Sequence, residues 1–107
     1  MPLPPESLAS QGPVEARLEA RRLAEWDAEA ALAALLGLAR GSRGRELRLD
    51  LSGLEYVAST GLGVFVALNR EVRASGGRLC LLNVRPPVYE VFALTRLTSV
   101  LDVRAAA

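Results

Sequence analysis

The chain has 107 residues, half of them hydrophobic and 23% charged, and its thirteen basic and twelve acidic side chains leave a net charge of +1. That length holds one domain with its own core; the composition is too apolar for a disordered chain, and the balanced charge offers no bulk attraction for nucleic acid or an anionic membrane. With no histidine, the commonest acid–base catalyst and metal ligand is missing, and a single cysteine excludes a disulfide within the chain.

Composition thus points away from an enzyme, a metal site or a bound cofactor. No apolar run approaches the ~20 residues needed to span a bilayer. Met1 to Pro5 has neither a charged n-region nor an apolar h-region, so no signal peptide is expected. Together with the lone cysteine, these features suggest a cytoplasmic protein.

Pro2, Pro4, Pro5 and Pro13 mark residues 1–13 as a flexible leader, with one domain over 14–107. In Val14 to Leu23, apolar Val14, Ala16, Leu18 and Ala20 alternate with charged Glu15, Arg17, Glu19 and Arg21, the period of a half-buried strand. The same residues are good helix formers, so one long helix from Val14 to Leu38 is a rival, although its apolar stripe would be poor. Asp27 can cap a helix whose apolar face runs through Ala28, Ala31, Leu32, Leu35 and Leu36 to Leu38. Gly41 to Gly44 breaks it.

Glu46 to Leu51 alternates strictly, leucines to one side and charges to the other, which suggests a sheet with helices mainly on one face. A helix is expected from Gly61 to Ala74, ended by Gly76-Gly77. Arg78 to Val84 is an apolar, more buried strand, with Cys80 expected in the core. Pro86-Pro87 opens a further helix, and Val100 to Val103 suits a short last strand. The expected fold is α/β: a βα-repeating, mostly parallel sheet of four to five strands with about four helices packed mainly on one face.

One stretch does not look like plain core. In Ala58-Ser59-Thr60-Gly61-Leu62-Gly63, two hydroxyls stand beside two glycines where a helix begins. Either Ser59 is simply an N-cap and the glycines pack against a strand, or the bare backbone admits another molecule. Neither a dinucleotide fingerprint nor a Walker loop is completed, and a nucleophilic serine would find no histidine base.

That hexapeptide, preceded by Leu49-Asp50-Leu51-Ser52-Gly53-Leu54 and followed by Gly76-Gly77-Arg78-Leu79 and by Asn83 to Leu94, resembles the STAS domains of bacterial anti-sigma factor antagonists. The likeness is close over residues 45 to 104 and weak over 14 to 40. It implies a non-enzymatic protein that binds an anti-sigma factor which is also a serine kinase, and so releases the sigma factor. The kinase would phosphorylate Ser59, with Thr60 the second candidate, and a phosphatase would reverse it. The implied docking surface comprises Ala24, Glu25, Trp26, Ala58, Ser59, Thr60, Gly61 and Leu62, with the exposed side of the following helix.

Two departures stand out. The family often has Asp directly before this serine, where Ala58 stands here, and Gly-Glu-Leu-Asp before the first main helix, where Arg21-Arg22-Leu23-Ala24 stands. Alternative roles in the same family are an accessory subunit docked on a membrane ABC transporter of the phospholipid type and a stressosome-like scaffold. Trp26 suits a hydrophobic staple or core edge as well as a partner contact. The cluster Arg40, Arg43, Arg45 and Arg48 lacks the aromatic platform of a nucleic-acid site and reads as a solvated loop.

Overall fold

Alternation along Glu46–Asp50 (β3) turns Leu47 and Leu49 to one side and Glu46, Arg48 and Asp50 to the other, and the architecture follows from that division. A computed structural model describes residues 12–106, apart from the side chains of Glu25 and Trp26; most of the expected leader lies outside the described residues. Val14–Arg17 (β1) and Arg78–Val84 (β5) flank β3, and Asp102–Ala105 (β6) pairs with β5. These strands form a four-stranded parallel sheet in the order β1-β3-β5-β6. Parallel neighbours need crossovers. Among the described residues these are supplied by Glu25–Gly41 (α1), Ser59–Ala74 (α2) and Pro86–Leu94 (α3).

The helices cover the leucine face. Leu47, Leu49, Leu79 and Leu81 join one core with Leu35 of α1, Phe65 of α2, and Val88 and Phe92 of α3. The two phenylalanine rings meet with centroids 5.6 Å apart and a tilt of 51°. The opposite face is ionic. One cross-strand row runs Glu15, Arg48, Cys80, Asp102. Arg48 pairs with Glu15 and Glu46 at 3.8 and 3.3 Å, and Asp102 with Arg78 and Arg104 at 2.7 and 3.2 Å. The charges of β3 led us to expect helices mainly on one face, and the described helices pack on the leucine face.

Several expectations need correction. The strand expected over Val14 to Leu23 holds for Val14–Arg17 and stops there, and the long helix is wrong: β3 offers β1 a ladder that outweighs helix propensity. α1 begins at Glu25 with Ala24 as N-cap, so Asp27 lies in the first turn and caps nothing. Ser59 likewise is not an N-cap; Ala58 is, and no side chain caps α2. Among the described residues there are three α-helices and one 3₁₀ turn, Leu97–Ser99, entered where Arg96 turns into the left-handed region at φ 62° and stops α3. That turn also delays β6 to Asp102.

Cys80 is sealed, at 0% exposure, but it is not among the leucines of the core. It sits in the ionic row, where its thiol lies 3.0 Å from Glu46 Oε1 and 3.2 Å from Asp102 Oδ2 and can donate to either. Burial first, then these carboxylates, push the thiol up to about 12.

Candidate docking corner

A second, two-residue ribbon builds the corner. Arg22–Leu23 (β2) and Tyr56–Val57 (β4) pair in parallel, Arg22 against Tyr56 and Leu23 against Val57. Each strand is followed by an alanine N-cap and then a helix, Ala24 and α1 on one side, Ala58 and α2 on the other. The Ala58 N–H donates to the Leu23 carbonyl at 2.9 Å, and the Glu55 N–H to the Arg21 carbonyl at 2.7 Å. Two helix N-termini, far apart in sequence, therefore start side by side, neither with a side-chain cap.

The loop feeding β4 is pinned. Asp50 Oδ1 accepts the Ser52 N–H at 2.7 Å, a bond that holds this carboxyl below its usual range. Arg85 Nε donates to the Ser52 carbonyl at 2.6 Å. Glu55 pairs with Arg21 at 3.0 Å and with Arg85 at 3.9 Å, and the Arg22 guanidinium lies 5.1 Å above the Tyr56 ring.

The two glycines of the hexapeptide have opposite jobs. A Cβ on Gly61 would fall 2.5 Å from the Leu23 carbonyl oxygen and 2.8 Å from Val57 Cγ2, so the bare backbone lets α2 close on the ribbon. A Cβ on Gly63 would meet nothing within 4 Å. Gly63 lies one turn beyond Ser59 on an open face.

Ser59 and Thr60 are exposed, and neither side chain bonds to another described residue. Ala24 and Ala58 are half-buried beside them. Gly61 and Leu62, expected on the docking surface, are buried against the ribbon and the core. The side chains of Glu25 and Trp26 lie outside the described residues, though their backbone forms the first turn of α1. Sequence reasoning passed over Arg22 and Tyr56, the exposed flank of the corner; a two-residue strand has no periodicity to reveal them.

The corner holds no carboxylate at 24 or 58. Among the described residues, no group of three or more His, Cys, Asp or Glu side chains is placed to hold a metal ion, and no helix is long and apolar enough to cross a membrane.

A family model described as "Mlab, STAS domain" matches residues 8–102. The anti-sigma-B factor antagonist of Bacillus subtilis is 38% identical over 63 residues, which are 59% of this chain and 58% of that protein. The protein of the same description from Listeria monocytogenes is 33% identical over 58 residues, 54% of this chain and 51% of its own length. The chain thus spans between half and three-fifths of these curated relatives. A solved anti-sigma-factor antagonist (STAS) domain protein from Planctomyces limnophilus shares the fold at 23% identity and a TM-score of 0.75, over 87% of this chain and 81% of the other.

Proposed function

The chain belongs to the STAS domain family, and we propose that it is an anti-sigma factor antagonist. In this role it is a cytoplasmic regulatory protein, not an enzyme, that binds an anti-sigma factor doubling as a serine kinase. Phosphate on Ser59 blocks that association, and a phosphatase restores it. Supporting this most directly is the exposed Ser59 hydroxyl, bonded to no other described residue, at the start of α2 beside the start of α1.

A phosphate there adds roughly −1.5 to −2 charge and three acceptor oxygens. Two uncapped helix ends suit an anion, so the domain tolerates it. A partner closing on Ser59, Thr60 and Gly63 would instead have to desolvate a dianion, at a cost of several kcal/mol. That is enough to reverse a binding equilibrium.

The test is the affinity of the anti-sigma factor kinase from the same genome for wild type and Ser59→Asp. The aspartate should weaken binding at least tenfold, about 1.4 kcal/mol, with an unchanged far-UV CD spectrum. Equal affinity, or an unfolded Ser59→Asp, overturns the switch.

The neutral Ala24 and Ala58 favour one second reading, a constitutive subunit docked through the same corner on a membrane ABC transporter. There the aspartate would leave docking intact.

A further inference from the structure

At the other end of α2 lies a recess of about 390 Å³, lined by Asn69, Arg73, Arg78, Leu79, Val100 and Asp102. Asn69 is ten residues beyond Ser59, about 15 Å along the helix, so the recess is distinct from the docking corner.

Asn69 is 9% exposed, yet its side chain makes no hydrogen bond to another described residue. It also lines the recess, and no buried side-chain N or O atom among the described residues is sealed without a partner. The amide therefore opens onto the cavity. Asparagine is a mediocre helix former, so helix propensity does not account for it here. Core neighbours Leu68 and Val72 show what packing alone would select here.

The rest of the lining says what would satisfy it. The Arg73 guanidinium bonds to no other described residue. Arg78 gives Nη2 to Asp102, leaving other donors. The Asp102 charge is shared between Arg78 and Arg104, so the recess stays net positive. Among the apolar lining residues, Val100 is 55% exposed and Leu79 is buried. Convergent donors suit an oxyanion, and the apolar wall suits a short hydrocarbon body. The volume falls within the range of small-molecule sites.

We propose that this recess binds a small organic carboxylate, its oxygens on Asn69 and Arg73 and its apolar end against Val100. The chain has two asparagines, Asn69 and Asn83, and one glutamine, Gln11, so side-chain amide signals in a ¹⁵N spectrum are few and readable. The labelled full chain is titrated with sodium butyrate, against sodium chloride at equal ionic strength. The Asn69 amide pair should move saturably, with half-saturation on the order of millimolar, while that of Asn83 stays still. Arg73→Gln should raise the half-saturation point at least fivefold, and Arg73→Lys should restore most of it. A linear drift matched by chloride, or equal titration of wild type and Arg73→Gln, overturns the proposal.

Discussion

The Leu23 carbonyl accepts the Ala58 N–H at 2.9 Å and would lie 2.5 Å from a Cβ on Gly61. One oxygen thus ties the start of α2 to the strand that launches α1, and sets how closely they approach. This contact brings the two helix starts together at one corner.

Substituting the two glycines should separate fold from surface. Gly61→Ala drives a methyl into backbone and should destabilise by about 1–3 kcal/mol. Gly63→Ala adds a methyl in open space and should stabilise by roughly 0.5–1 kcal/mol through helix propensity. Urea unfolding of both variants checks this. A Gly61→Ala variant as stable as wild type would mean that α2 does not press on the ribbon.

Cys80 should be nearly inert while the protein is folded. With its thiol pushed up to about 12, the thiolate fraction at pH 8 falls about a thousandfold below that of an ordinary cysteine. Alkylation by iodoacetamide should be negligible in buffer and rapid in guanidinium, followed by intact mass. Rapid labelling of the native protein would contradict the sealed position.

Stability should fall at low pH through the ionic face. Asp102 is held down to about 2, chiefly by its hydrogen bond from Arg104, with Cys80 and Arg78 also lowering it. A carboxylate depressed in the folded state stabilises fully above its unfolded value near 4, and that contribution is lost as pH falls through about 2. Asp102 is partly exposed, so the effect is at most about 2 kcal/mol. Denaturant midpoints from pH 5 to pH 2 should drop in wild type and drop less in Asp102→Asn; parallel curves would remove Asp102 as a source.

How much of this was legible in the sequence depends on run length. β5 matches its expected bounds, and α2 and α3 nearly do, because seven or more patterned residues with glycine or proline at their borders leave little choice. β2 and β4 were invisible, since two residues carry no period and their pairing is purely a tertiary event. Two misreadings were avoidable. With Leu79 and Leu81 inward, strand alternation already places Cys80 outward. On a helix, Gly61 and Gly63 stand about 200° apart, so they could not share one role.

The most direct measurement incubates the protein with ATP and the proposed anti-sigma factor kinase from the same genome, maps the phosphate by mass spectrometry and titrates the product back against that kinase. A single phosphate on Ser59 with at least a tenfold loss of affinity is the expected result. Phosphate on Thr60 alone, no transfer at all, or a Ser59 phosphoprotein that binds as well as before would contradict the account.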